Sequence, residues 1–280
     1  MPFTPFHLGP ALTIGLPLRR FIHAPTFIIA NVIVDVEPFL VMVLGLNYHL
    51  HGYLHTFIGA FAVGLVLAYV MYLIDRFVRR LWSKLLLISK GSYSLKEYII
   101  AGVSGTLMHV LLDSPLYTDI RPLYPLTLNP LYDPTSLAQV SIFIYDLCTV
   151  MVFAGLIYYY YLLVRASFRK ALSVLGILYV VGFVISFMES YVIPLMVFSS
   201  IVFLVIALLL LISTFRGLRG YLALLAGNVL AMVWLSYLLS SGVTFSFARL
   251  FSLIATLAAI SLIVAHVVNI TMILRYRVRT

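Results

Sequence analysis

A succession of apolar runs, each about as long as a bilayer is thick, constrains this chain more than any other feature. A helix needs roughly 20 apolar residues to cross the hydrocarbon core of a membrane. Because a spanning segment must also satisfy its own backbone hydrogen bonds, the runs predict an all-α, polytopic transmembrane bundle. We place about eight spanning helices at 25–46, 53–74, 95–113, 137–164, 171–192, 195–214, 221–239 and 247–274.

A shorter apolar segment, residues 8–18, precedes these runs and contains Gly9, Pro10 and Gly15. Proline and glycine interrupt helices, so this segment is either a short broken helix or a re-entrant piece held inside the protein. The sequence leaves both alternatives open.

The basic residues lie in short clusters between the apolar runs. Sixteen of the 18 Lys and Arg residues fall on one side of the membrane if the eight helices alternate, which leaves only Arg121 and Arg249 opposite. The positive-inside rule makes that side cytoplasmic. We therefore expect a multi-pass protein of the cell membrane, in contact with lipid and with a cytoplasmic C-terminus. Topology explains the net charge of +9 without a nucleic-acid partner.

Ionisable residues divide the chain into two regions. The stretch to residue 136 holds six of the seven His and seven of the nine acidic residues. We expect region 1–136 to carry the chemistry and region 137–280 to be an apolar region of five helices, with no separate soluble domain. The connection at 114–136 holds five prolines and three tyrosines, a composition that suits the membrane interface and could cap a cleft.

Two carboxylates stand inside the first predicted span. Because an unpaired charge within the bilayer is costly, Asp35 and Glu37 need a partner, water or a cation. They lie two residues apart and cannot share one helix face. Pro38 follows at once, however, and can break the helix so that both carboxylates point inward.

Two further pairs are four residues apart, the spacing that places side chains on one face of a helix. His109 and Asp113 share a face of the third predicted span, and His51 and His55 share one if the second helix already includes His51. Imidazole nitrogens and carboxylate oxygens both bind divalent ions such as Zn²⁺. The single cysteine, Cys148, cannot supply a thiolate cluster.

We therefore predict a divalent metal site, with zinc as the expected ion, and these ligands: His7, Asp35, His55, His109 and Asp113. His51 is an additional candidate, whereas we expect His23 and His49 to be solvated. Taken singly, each His could instead be an interfacial residue, and each Asp could bond a neighbouring hydroxyl.

The second region holds only three candidates for a supporting role: Asp146, Glu189 and His266. We expect Asp146 and Glu189 to be buried acids, and all three residues could orient metal ligands or form hydrogen bonds between helices. The sequence contains no glycine-rich phosphate loop, dinucleotide fingerprint or nucleophile elbow. Nucleotide-driven and serine hydrolase functions therefore lose their support.

The order of these motifs resembles the YdjM-type, LexA-regulated family of membrane-bound metal-dependent hydrolases. The resemblance covers roughly the first half of the chain. It rests on Met1-Pro2-Phe3-Thr4-Pro5-Phe6-His7, Asp35-Val36-Glu37-Pro38, His51-Gly52-Tyr53-Leu54-His55-Thr56 and His109-Val110-Leu111-Leu112-Asp113, with Pro122 and Pro125 downstream. It implies that the family's metal and catalytic positions are occupied here by His7, Asp35, Glu37, His55, His109 and Asp113. The family is also distantly similar to zinc-dependent phospholipase C and related fungal nucleases, which implies phosphodiester hydrolysis by analogy.

The leading hypothesis is an integral-membrane, metal-dependent hydrolase of a phosphoester or phospholipid-like substrate, with its site toward the extracytoplasmic face. A bound ion would lower the pKa of water and polarise a phosphoryl oxygen, with Asp35 or Glu37 as general base. Arg121 could bind phosphate, or it could pair with Asp119. Two alternatives stay open: a metal ion or proton transporter, and a non-catalytic membrane protein with a structural metal site.

Overall fold

The computed structural model of the chain describes residues 4–167 and scattered positions between 171 and 267. The chain divides into two compact units, Met1–Gly155 and Leu156–Thr280. Every described residue from 171 onward is helical. All of the predicted site residues belong to the first unit.

Six α-helices and no β-strand occur in the continuous stretch that the structure describes: α1 (Thr4–Gly15), α2 (Ala24–Ile33), α3 (Val36–Val43), α4 (Phe57–Lys84), α5 (Leu95–Asp113) and α6 (Leu137–Ala166). Helices α4, α5 and α6 are each long and apolar enough to cross a membrane, and α2 with α3 passes the same test as a pair bent by 40°. The all-α class is confirmed for the described residues, which hold three to four candidate spans. The predicted spans 171–192, 195–214, 221–239 and 247–274 lie outside these residues, apart from scattered helical positions.

The predicted bounds agree best for α5 and α6. Helix α5 coincides with the predicted span 95–113, and α6 extends the predicted span 137–164 by two residues. Helix α4 begins later than predicted because Thr56 caps it, its hydroxyl accepting a hydrogen bond from the N–H of Gly59 at 2.9 Å. The N-terminal segment is one short helix, α1, with Pro10 inside it.

The predicted span 25–46 is two helices in the structure, α2 and α3, which separate at Val34 and Asp35. The N–H of Asp35 donates to the carbonyl of Val32 at 3.1 Å, and that of Glu37 donates to Val34 at 3.2 Å. These bonds span three residues and tighten the turn. Pro38 explains the break, because it has no N–H to offer to Val34 and is tolerated only in the first turn of a helix.

Small residues let α4 and α5 cross closely. A Cβ atom added to Gly102 would overlap the carbonyl oxygen of Gly64, and one added to Gly64 would lie 2.6 Å from the hydroxyl of Thr106. Thr106 is fully buried and donates a hydrogen bond to the carbonyl of Ala60 at 2.7 Å. Close contacts of this kind hold helices together in lipid, where the hydrophobic effect contributes little.

Helix α2 packs on α5 through Gly105 of α5. A Cβ atom there would lie 2.6 Å from the Cβ of Ala30 and 2.9 Å from the carbonyl oxygen of Phe27. Helices α2, α4 and α5 thus form one bundle. The end of α5, the start of α4 and the break after α2 lie at the same end of that bundle, which is where Asp35, His55, His109 and Asp113 meet.

We expect Gly102→Ala to lower the melting temperature of the purified protein, because the added methyl group meets backbone atoms of α4 that cannot rotate away. Overpacking of this kind costs about 1–3 kcal/mol. Thermal unfolding in detergent measures the effect. Gly91→Ala is the matched control, since nothing lies within 4 Å of a Cβ atom at that position. Equal melting temperatures for the two variants would contradict the close crossing.

Candidate metal centre

Four ionisable side chains meet at one end of the bundle. Asp35 follows α2, His55 ends the 3₁₀ turn Tyr53–His55, and His109 and Asp113 lie at the end of α5. One ligand atom from each residue lies within 4.8 Å of the others, so the group could hold a metal ion. His55, His109 and Asp113 are buried. These four residues are called the metal centre below.

The backbone orients the imidazole of His109. Its Nδ1 atom lies 2.8 Å from the carbonyl oxygen of Asn31 in α2. A carbonyl oxygen can only accept, so Nδ1 carries a proton, and in the neutral ring Nε2 carries the lone pair. Nε2 lies 3.4 Å from Oδ1 of Asp35 and 3.4 Å from Oδ2 of Asp113, and it forms no hydrogen bond with any described residue. A buried lone pair that faces two carboxylates is arranged to bind a metal ion.

A carboxylate orients His55 in the same way. The Nδ1 atom of His55 lies 3.1 Å from Oε2 of Glu37. On the other side of the ring, Nε2 lies 3.9 Å from Oδ1 of Asp35 and 4.0 Å from Oδ2 of Asp113. This Nε2 atom also lacks a hydrogen-bond partner among the described residues. Metal-binding histidines commonly donate their second ring N–H to a carboxylate in this manner.

The spacing and charge of the centre fit a divalent ion. Ligands held about 2.0–2.1 Å from zinc in a tetrahedron lie about 3.3–3.4 Å from each other. The two contacts of His109, at 3.4 Å, match that spacing, and those of His55 exceed it by roughly half an ångström. The carboxylates of Asp35 and Asp113 supply two negative charges, which would repel each other in a buried site without a cation.

Glu37 contacts the backbone on the N-terminal side of His55 as well as the His55 imidazole. Oε2 of Glu37 accepts hydrogen bonds from the N–H of Gly52 at 2.9 Å and from that of Leu54 at 3.1 Å. The sequence predicted a catalytic role for Glu37. The structure places its carboxylate on the Nδ1 side of His55, whereas Asp35 and Asp113 face the Nε2 side.

His7, from α1, lies against the metal centre. Its Nε2 atom is 3.1 Å from Oδ1 of Asp113, and its ring stacks on that of His109 with centroids 4.0 Å apart. Asp113 therefore faces His7 with one oxygen and the other two imidazoles with its second oxygen.

His51 lies in the loop before the 3₁₀ turn, so the condition for sharing a helix face with His55, that the second helix already includes His51, is not met. Gly52 and the 3₁₀ turn separate His51 from α4. Its Nδ1 atom lies 2.9 Å from Oδ1 of Asp119. Burial lowers the pKa of His51, which favours a neutral ring. Burial alone would raise the pKa of Asp119, but hydrogen bonds from His51 hold it below its ordinary value. Asp119 thus pairs with His51, while Arg121 is exposed.

Sequence reasoning missed a second polar cluster. His23, which we expected to be solvated, is fully buried before α2. Its Nε2 atom lies 3.2 Å from Oδ1 of Asp75, whose Oδ2 accepts a hydrogen bond from Nε of Arg79 at 2.6 Å. Tyr98 of α5 packs on the His23 ring. Tyr98 precedes His109 by eleven residues, so the two clusters lie about 16 Å apart along α5. The sequence signal that could have revealed this cluster is Asp75, an acid within the largely apolar α4, four residues before Arg79.

The predicted supporting residues have mixed outcomes. Asp146 is exposed on α6, so the expectation of a buried acid is wrong there, because its helix position faces outward. His49 is exposed, as expected for a solvated residue. Glu189 and His266 lie outside the described residues.

No family model matches the chain, and no curated protein or solved structure matches it significantly. The resemblance to the YdjM-type family therefore stays a prediction. The case for a function depends on the geometry of the metal centre.

We expect Glu37→Gln to weaken zinc binding by about 10- to 100-fold, because the neutral amide orients His55 less firmly than a carboxylate does. Competition between the protein and a chelating dye measures the affinity. Glu97→Gln is the control, since Glu97 belongs to the capping box at the other end of α5. Equal affinities in the two variants would show that Glu37 does not orient a ligand.

Proposed function

We propose that the chain is an integral-membrane, metal-dependent hydrolase that acts on a phosphodiester or phospholipid-like substrate. The observation that carries the proposal is the pair of buried Nε2 atoms, from His55 and His109, that face two carboxylates without hydrogen bonds among the described residues. A divalent ion would satisfy both lone pairs and both carboxylates together.

The side chains of the metal centre differ in their exposure to solvent, and this difference favours catalysis over a purely structural role. The side chain of Asp35 is 18% exposed, whereas those of His55 and Asp113 are 0% and 3% exposed. Water and substrate would therefore reach the ion past Asp35. A catalytic metal site needs such an opening, while a structural zinc site is closed on all sides.

The chemistry follows from this arrangement. A divalent ion held by the centre would polarise a phosphoryl oxygen and lower the pKa of water. We assign the general-base role to Asp35, because its carboxylate forms the accessible edge of the centre. His55, His109 and Asp113 would then be the three protein ligands, which leaves the fourth position of the ion open for water. Glu37 orients His55, and His7 contacts Oδ1 of Asp113, the oxygen that does not face the other two imidazoles. Zinc is the ion that we favour, since it binds imidazole nitrogen and carboxylate oxygen together.

The finer topology belongs to the same proposal: eight spans, a cytoplasmic C-terminus and a metal centre at the extracytoplasmic face. Charge along α4 supports it. The end of α4 beside the centre carries no basic residue, while the other end carries Arg76, Arg79, Arg80 and Lys84. Arg121, exposed in the loop after α5, is the residue that we propose for substrate phosphate.

Hydrolysis by zinc-loaded protein tests the proposal. We expect turnover of at least one member of a phospholipid and phosphodiester panel, lost on chelation and restored by Zn²⁺. Asp35→Asn should lower kcat by about 100-fold or more, because it removes the general base. Asp113→Ala serves as the blank. Protein with full metal occupancy that turns over no member of the panel would overturn the proposal.

A metal or proton transporter is the second candidate. The cluster of His23 and Asp75 favours it, because buried ionisable groups then occupy both ends of one helix bundle. Between the clusters, however, Gly105 packs directly on Ala30 and Phe27, and the described residues of α2 and α5 place no further His or acidic side chain there to continue a route.

Flux measurements in proteoliposomes distinguish transport from hydrolysis, and the effect of chelation on the melting temperature identifies a structural role. Metal or proton flux that is abolished by both His109→Ala and Asp75→Ala would favour transport. A structural site predicts that chelation lowers the melting temperature of a protein that hydrolyses nothing. We expect neither result: the liposomes should show hydrolysis without flux.

A further inference from the structure

Helix α3 presents an apolar surface beside the metal centre. Of its eight residues, only Pro38 and Val41 are buried. Phe39, Met42 and Val43 are at least half exposed. Large apolar patches on a protein surface mark contact with a partner or with lipid.

The loop between α5 and α6 presents a second apolar surface. Leu126 and Leu128 in it are 62% and 63% exposed. The N–H of Phe57 donates to the carbonyl of Pro122 at 2.9 Å, which ties this loop to the start of α4. Through Phe57, the loop adjoins the 3₁₀ turn that carries His55.

Both surfaces lie at the end of α5 that carries the metal centre. Helix α5 has 19 residues and therefore rises about 28 Å, close to the roughly 30 Å of the hydrocarbon core. If α5 crosses the membrane, Asp113 at its end lies at a membrane boundary. Helix α3 starts at the metal centre and bends away from α2 by 40°. It therefore continues past the level at which α5 ends.

Tyrosines surround this region in the pattern of a membrane interface. Tyr48, Tyr53 and Tyr124 are each more than a third exposed, and the rings of Tyr53 and Tyr124 contact each other at 5.2 Å. Tyrosine rings are enriched at the headgroup level of bilayers. From residue 36 to residue 48 the only charged residue is Glu37, and its carboxylate bonds the protein.

We propose that α3 and the loop 123–131 lie in the boundary between lipid headgroups and acyl chains, and that a phospholipid within the bilayer is the substrate. The inference rests on the proposed function and names its substrate class. The accessible edge of the centre, at Asp35, immediately precedes α3. A lipid seated there presents its phosphate to the metal ion while its tails stay in an apolar phase.

Spin-label depth measurements test the placement of α3 without relying on activity. In a Cys148→Ser background, one spin label is attached at a single introduced cysteine: Phe39→Cys, Val43→Cys or Leu128→Cys. Each labelled protein is reconstituted in vesicles of phosphatidylcholine and phosphatidylglycerol. Relative access of oxygen and a nickel chelate gives the depth of each label. Val66→Cys, at an exposed position within α4, is the deep control, and His49→Cys is the aqueous one.

We expect all three labels to lie at depths between the two controls. Two results would overturn the placement. A label at position 43 as deep as the one at position 66 would mean that α2 and α3 cross the membrane as one broken span. Low access of both reagents at positions 39 and 43 would mean that another part of the chain covers α3.

Turnover tests the substrate class. We expect the double variant Phe39→Asp, Leu128→Asp to lose about ten-fold of its activity on vesicle phospholipid, because the two carboxylates remove apolar area from the lipid-facing surface and repel anionic phosphatidylglycerol. Its activity on a water-soluble phosphodiester and its zinc content should stay unchanged. Phe39→Leu is the matched control and should keep both activities. Unchanged vesicle activity in the double variant, or equal loss on both substrates, would overturn the inference.

The two proposals fail separately. Wild-type protein that hydrolyses only the soluble diester would leave the proposed function standing and overturn the lipid substrate. Wild-type protein that hydrolyses neither substrate would overturn the proposed function, and the lipid substrate with it. The depth measurement decides the placement of α3 in either case.

Discussion

Repulsion between two carboxylates in an apolar bundle is the constraint on which the rest of the first unit depends. Asp35 and Asp113 come from different segments of the chain and face the same pair of imidazole nitrogens. Such an arrangement is stable only when positive charge lies between the carboxylates. The surrounding structure departs from regular helix where this arrangement requires it, at the break after α2 and at the 3₁₀ turn before α4.

The same constraint explains the contacts behind the ligands. His109 directs Nε2 inward because its Nδ1 proton bonds the carbonyl of Asn31. His55 does so because Glu37 accepts its Nδ1 proton and also holds the backbone of Gly52 and Leu54. A tautomer fixed in this way is what a neutral imidazole ligand needs. The two histidines therefore reach the same state through different acceptors, one on the backbone and one on a side chain.

Sequence reasoning predicted the helical class and the shared face of His109 and Asp113, because long apolar runs and four-residue spacing are local signals. Helix α5, with His109 and Asp113 on one face, shows this most clearly. Sequence reasoning failed where contacts between distant segments of the chain decide which residues pair. The pairing of His23 with Asp75 depends on how α2 packs on α4, and the pairing of His51 with Asp119 depends on a loop 68 residues away. Nothing in the local pattern reveals such partners.

Elemental analysis of purified protein tests the metal centre most directly, after loosely bound ions are removed. We expect about one equivalent of zinc, or of another divalent metal, in the wild type and its loss in both His109→Ala and Asp113→Ala. The exposed positions His49 and Asp146 provide matched controls, since His49→Ala and Asp146→Ala should retain the metal. The metal centre would be contradicted by wild-type protein without stoichiometric metal, or by equal metal in the wild type and all four variants.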